Sequence, residues 1–434
     1  MMKAKTHPMF NIFSVPYYYS IIFGWMPIRI PKNDVEKKNK SSWCIPGILS
    51  SISFFVLLVV SGKTTNSLRE ITKFQGNMSS SNLTVHDRIQ IIVGPMFINS
   101  LSINQLFIII TFISMPIHLL ELRRVFDRFN YFFKRHGATI GTEAKMNTIV
   151  KVVNMESTLL ILMNTLMSVV SAMSSFNRMR LSFAWRLFIM VDNVLKKMEA
   201  FSLCIQFWCI SSTMAKCFKC LNLSLVRVQI RRNQVVGTKP LGLFLLPDPC
   251  TSPANIVMFL QRLNSAHADL CSILDHVNNV YQVLNYLSIV ISLLSMLPHM
   301  FVFAITLAFS NFRITPHVSL ILWPTQYLMR VFIVCKIASI ATAEANRTKS
   351  LLNAVIHKRL TKQEKCEIKR FLERINSKKI SFSLCGFSDL DDKYFLSTLV
   401  AVGGYLAIIV QSCMTVIEEQ YSIHERPTAD TFDE

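Results

Sequence analysis

Long apolar runs alternate with charged ones along this chain. Residues 43–61 and 394–416 contain no Asp, Glu, Lys or Arg. At 1.5 Å per residue the second run makes a helix about 34 Å long, enough to cross a hydrocarbon core of about 30 Å. The same pattern, less cleanly, places spans within 91–117, over 152–173, from near Ala200 to about Lys216, within 282–309 with Pro298 as a kink, and over 318–341. Seven spans result. The uncharged stretch 9–28 is broken by Pro16 and Pro27 and holds Tyr17, Tyr18, Tyr19 and Trp25, so it reads as an interfacial or re-entrant segment ahead of the first span.

The connections differ in character. Residues 63–90 are polar, 121–151 form a basic connection, and a short loop with Arg178, Arg180 and Arg186 precedes the fourth span. Residues 221–232 read as that span's helical continuation into water, and 237–253 as a Pro- and Gly-punctuated loop. Residues 344–393 are strongly charged. Within them Thr361-Lys-Gln-Glu364 is a capping box ahead of Ile368, Phe371, Leu372 and Ile375 at helical spacing, so an amphipathic, water-facing helix with an apolar seam in need of a partner is predicted.

In the last span Ser397, Gly404 and Gln411 recur every seven residues and Thr415 follows four later, which puts small or polar side chains on one stripe. Hydrocarbon is a poor neighbour for such a stripe, so it should face water or another helix. A pore wall and ordinary packing through small residues both satisfy that requirement.

Composition agrees with a polytopic membrane protein: mean hydropathy is +0.38 over 434 residues, 51% hydrophobic, with 31 Phe. The net charge of +20 could suggest a nucleic-acid partner, but what matters first is where the basic residues sit relative to the spans, and no nucleic-acid partner is expected. Seven spans divide the Lys and Arg outside them 33 to 11, which places the N-terminus in the cytoplasm and the C-terminal tail outside. Asn77-Met-Ser and Asn82-Leu-Thr, two glycosylation sequons, then fall in an extracellular loop, in independent agreement. The expected organisation is a cytoplasmic N-terminal segment with its interfacial stretch (1–42), six spans (43–341), cytoplasmic helices (342–393), a seventh span (394–416) and an extracellular tail (417–434).

No Walker loop, GxSxG, HExxH or dinucleotide fingerprint occurs, so no enzyme, catalytic residue or cofactor is expected. None of the eleven Cys lies in a predicted extracellular loop, and the lone Cys217–Cys220 pair lacks the second pair or nearby His of a zinc site, leaving a structural role or lipidation. Charges inside spans are few: Glu156 lies near the cytoplasmic end of the third, and Arg330 lies deeper in the sixth. Trp323, Tyr327 and Arg330 stand at i, i+4 and i+7, a face able to hold a polar organic ligand between aromatic walls. The same face could equally pack within the bundle, with Arg330 paired to an acid or a backbone carbonyl. Phe97, Asn99, Gln206, Trp208, His299 and Phe303 are outer-half residues of other spans that could complete a pocket, and sequence does not decide whether they converge.

Gly404-Tyr405-Leu-Ala-Ile-Ile-Val-Gln411-Ser412 resembles the last-helix signature of insect and other arthropod gustatory receptors: Thr-Tyr, five hydrophobic residues, Gln-Phe. Gly404 replaces the Thr and Ser412 the Phe. Cys385-Gly-Phe-Ser-Asp-Leu-Asp-Asp is similar to that family's approach to the helix, and Tyr19-Ser-Ile-Ile-Phe-Gly-Trp-Met-Pro27 to its N-terminal segment. The resemblance implies an insect chemoreceptor-like, all-α, seven-helix fold. It further implies a plasma-membrane, ligand-gated, non-selective cation channel that responds to a small-molecule tastant and assembles as a homotetramer or with related subunits. Ser397, Gly404, Tyr405, Ile408, Gln411, Ser412 and Thr415 would line the pore or gate. A hydroxyl at 412 excludes water less well than Phe, which would shift gating to Val410, Met414 or a partner subunit. A G-protein-coupled receptor or a transporter is the alternative from another class, and a cytoplasmic N-terminus argues against the first.

Overall fold

The computed structural model describes residues 14–15, 18–19, 110, 114, 117–176, 183–236, 253–309, 314–356 and 360–424. The first two expected spans lie almost wholly outside these residues, as do the sequons at Asn77 and Asn82 and the pocket candidates Phe97 and Asn99. The described elements are α1 (residues 117–140), α2 (Thr142–Phe176), α3 (Phe183–Val236), α4 (Pro253–Phe309), α5 (Ile314–Ile356), α6 (Lys362–Asn376), a hairpin of β1 (Ser383–Leu384) and β2 (Ser388–Asp389), and α7 (Asp392–His424). The architecture is an α-helical bundle with one two-stranded hairpin beside it.

Helix length sets the layout. α3, α4 and α5 contain 54, 57 and 43 residues, hence about 81, 86 and 65 Å at 1.5 Å per residue, against a membrane core of about 30 Å. Each is longer than a crossing needs, with the excess packed in the bundle beyond it. At one end of the bundle α4 finishes and α5 begins; the other gathers α1, α6 and the hairpin. Among the described residues Lys145–Ser174, Ile256–Ala304 and Asp392–Gln411 are long and apolar enough to cross a membrane.

The basic connection expected over 121–151 is instead helical. Leu122, Val125, Phe126, Phe129, Phe132 and Phe133 repeat every three or four residues and are buried in the main core, while Arg124, Arg128 and Arg135 stand on the exposed face of α1. Gly141, at φ 71°, separates α1 from α2, and the Thr142 hydroxyl caps the Gly137 carbonyl at 3.3 Å.

The fourth span also begins earlier than expected: α3 starts at Phe183, so Arg186 belongs to helix and not to a loop. α3 packs against α2, α4 and α5. Ser202, Gln206, Ser211, Ser212 and Thr213 are all buried along it. An interior helix need not present a greasy face to lipid, which is why its hydropathy signal fades. Pro298 and Pro324 sit inside α4 and α5 without ending either helix.

α6 forms its capping box: the Glu364 amide donates to Thr361 Oγ1 at 3.3 Å and the Thr361 amide to Glu364 Oε2 at 2.9 Å. Its seam is covered by the chain itself. Ile368, Phe371, Leu372 and Ile375 are buried against α4 and α5, with His267 meeting Phe371 edge-on at 5.4 Å between ring centres. The partner this seam required is therefore intramolecular.

The hairpin turns through Cys385 and Gly386, at φ 51° and 81°, and delivers the chain to α7. There the Asp391 carboxylate accepts the Tyr394 amide at 2.8 Å, an N-terminal cap. α7 continues past residue 416 to His424, into what was expected to be tail.

Candidate functional site

Four helices bring polar and aromatic groups together toward the α4–α5 end of the bundle. α5 contributes Trp323, Gln326, Tyr327 and Arg330, whose i, i+3, i+4, i+7 spacing puts them on one face. α4 contributes His299, 4.5 Å from the Trp323 ring and 6.0 Å from that of Tyr327, centre to centre. Its Nδ1 donates to the Ser295 carbonyl at 2.7 Å, in the turn interrupted by Pro298. From α3, the Lys197 ammonium lies 3.8 Å from the centre of the Trp323 ring, a cation–π contact. Arg330 Nη2 donates to the Lys197 carbonyl at 3.0 Å and its guanidinium carbon lies 5.4 Å from the Tyr327 ring. From α2, Ser168 accepts from Gln326 Nε2 at 2.8 Å, and Asn164 reaches Met198 Sδ at 3.4 Å. Tyr19 of the N-terminal segment is buried on this level as well, donating to the Met198 carbonyl at 2.9 Å.

His299, Trp323, Tyr327 and Arg330 are thus assembled, with Phe303 half-buried one turn beyond His299 on the same face. Two other candidates lie elsewhere. Gln206 is about 13 Å along α3 from Lys197 and accepts from Tyr281 at 3.5 Å. Trp208 donates to Glu156 at 3.3 Å, beside Ser212 at 2.9 Å and Lys216 at 3.1 Å. That network pairs the intramembrane carboxylate with a lysine of the next helix, so Trp208 is a partner of Glu156 and not of Trp323.

Sequence reading missed Lys197, Gln326, Asn164 and Ser168. Lys197 precedes a fourth span that starts near Ala200, whereas α3 already begins at Phe183 and includes it. Gln326 carried a usable signal, since it stands at i+3 from Trp323 and four residues before Arg330.

α7 is the second site. Val402 is its buried contact with the bundle, near Met296 and Tyr327. Ser397, Gly404, Gln411 and Thr415 all lie on the exposed side, as do Tyr405 at 65% and Ile408 at 61% exposure. Ser397 and Thr415 hydroxyls donate to the helix carbonyls of Tyr394 and Gln411 at 2.9 and 3.0 Å, which makes them tolerable beside an apolar neighbour. Ser412 continues the helix, with its side chain outside the described residues.

A bundle of extended helices around an interior polar cluster, with a last apolar helix left largely uncovered, is the architecture of a membrane receptor. The chain belongs to the 7tm chemosensory receptor family, whose model matches residues 14–415. This is a family of receptors and not of enzymes. Among solved structures, the insect olfactory receptor OR5 from Machilis hrabei is similar at a TM-score of 0.61 and 13% identity, over 93% of this chain and 98% of that one. The same receptor in complex with eugenol gives 0.62 and 13%, over 94% and 99%. At such identity the likeness is one of fold. Comparison with curated protein sequences finds no match.

Proposed function

We propose that the protein is a gustatory-type receptor of the plasma membrane that acts as a ligand-gated, non-selective cation channel. In this reading several copies, four by the family resemblance, meet along α7, either alone or with related subunits. The observation that carries it is the outward side of α7. A helix this apolar exposes Val400 at 77%, together with Tyr405 and Ile408, and turns every member of its small and polar stripe the same way. Lipid would satisfy the apolar positions and leave Gln411 unsatisfied, whereas a water-filled path shared by neighbouring copies accommodates both. The N-terminus inside and the tail outside remain part of the proposal, as does glycosylation at Asn77 and Asn82.

The ligand site is the cluster of His299, Trp323, Tyr327 and Arg330. A small molecule that binds it more tightly in the open arrangement shifts the population toward that arrangement. Val402 shares a hydrophobic cluster with Met296 and Tyr327, so the ligand cluster and α7 are joined through packed side chains. The solved olfactory receptor bound to eugenol supports a small-molecule ligand for this fold.

Expression in cells without added G protein, with current recorded during a screen of candidate tastants, tests the reading. A channel gives ligand-evoked cation current, and Gln411→Ala alters its conductance or relative permeability. Absence of current across a panel that demonstrably binds, or a Gln411→Ala pore indistinguishable from wild type, counts against it.

A further inference from the structure

Two cations are buried at the cluster without a carboxylate. Lys197 is 7% exposed and Arg330 4%, and neither forms an ion pair among the described residues. Lys197 Nζ, Arg330 Nε and Trp323 Nε1 are all buried N–H donors that find no acceptor among the described residues. A cation–π contact with Trp323 and a single hydrogen bond to a carbonyl offset part of the desolvation of two charges, but a buried cation ordinarily requires an anion or several acceptors. Beside them Gln326 Nε2 donates to Ser168 at 2.8 Å, so the amide of Gln326 does not answer either cation. What Lys197 and Arg330 lack is therefore negative charge and acceptor oxygens.

We propose that the cluster binds a small organic acid in its ionised form, the carboxylate lying against Lys197 and Arg330 and the apolar body against the rings of Trp323, Tyr327 and His299. This rests on the cluster being the ligand site. A carboxylate supplies two acceptor oxygens in a plane that suits a guanidinium edge, and it offers lone pairs to the ammonium and the indole N–H as well. A neutral ester of the same shape supplies a weaker acceptor and no charge, so discrimination between acid and ester is the signature of this site. Leaving two buried cations uncompensated should give the empty site a stability penalty, and ligand binding relieves it.

The test uses the purified full-length receptor and three probes, benzoate, phenylacetate and hexanoate, each beside its methyl ester at neutral pH. At least one acid is expected to raise Tm while its ester does not. Lys197→Met is expected to abolish that shift, and to leave the ligand-free Tm equal to or above that of wild type, because an uncompensated buried charge has been replaced by an apolar chain of similar length. Lys197→Arg, which keeps the charge, retains a shift. The proposal is overturned if esters stabilise as well as acids, if no acid shifts Tm, or if ligand-free Lys197→Met melts several degrees lower, which would make the ammonium structural. Current recordings with the same probes separate the two readings. Acids that bind without evoking current keep the acid site and remove the channel; neutral compounds that evoke current while acids fail to bind do the reverse.

Discussion

Lys336 on α5 and Asp392, the first residue of α7, form an ion pair at 3.1 Å, and Ser339 donates to the same carboxylate oxygen at 3.1 Å. The pair joins the helix that carries the ligand cluster to the helix proposed to line the pore. It also gives Lys336, which falls within the sixth span expected over 318–341, a partner. Both side chains are close to half exposed, at 41% and 48%, so the contact is worth at most about 1 kcal/mol.

That magnitude makes Lys336 and Asp392 a coupling element and not a foundation. Asp392→Asn and Lys336→Gln should each raise the ligand concentration for half-maximal current by up to about fivefold, with the double variant no worse than either single one. Concentration–response curves and a double-mutant cycle check this. The ligand-induced rise in Tm should be unaffected.

Glu156→Gln removes the charge that Lys216 answers and weakens the bonds from Ser212 and Trp208. A charged hydrogen-bond partner lost from a partly buried network costs about 2 kcal/mol. Thermal unfolding should show the loss for Glu156→Gln and recovery in Glu156→Gln/Lys216→Met, in which no unanswered cation remains.

Phe371 is 1% exposed, packed on His267 and in cation–π contact with Arg374 at 5.5 Å. Phe371→Ala opens a cavity under α6 at about 3–5 kcal/mol. The expected outcome is a lower yield of folded protein and a lower Tm, read by size-exclusion chromatography and thermal unfolding of the solubilised receptor.

Acid should loosen the hairpin ahead of α7. The Lys379 ammonium bonded to Asp389 holds its carboxyl below the usual carboxylate range, helped by the Ser381 hydroxyl at 2.9 Å. A depressed folded-state pKa means that the unfolded chain takes up the proton first. The contact therefore stabilises above the ordinary Asp value of about 3.9 and is lost as pH falls through the lower folded value. Asp389→Asn should lower Tm slightly at about pH 6, with the difference closing as pH falls through the lowered folded value, and added salt should shrink it because the pair is largely exposed.

Periodicity decided much of this protein before any coordinates. The capping box at Thr361 and Glu364, the seam from Ile368 to Ile375, the stripe from Ser397 to Thr415 and the face of Trp323, Tyr327 and Arg330 all follow from helical spacing, because residues three, four or seven apart share a helix face whatever surrounds them. The same spacing was present in α1 from Leu122 to Phe133, where a high density of arginine made a helix read as a connection.

Tertiary structure alone decided what those faces meet. Lys197 is an unremarkable loop charge in sequence and a buried cation in the fold, because α3 begins a dozen or so residues upstream of it and carries it inward between α2, α4 and α5. Trp208 looked like a pocket aromatic and is a partner of Glu156, 52 residues away along the chain. Spacing fixes direction within one helix, but which helices adjoin, and at what height, depends on packing among residues far apart in sequence. That is why the ring face of Trp323 was legible and the ammonium resting on it was not.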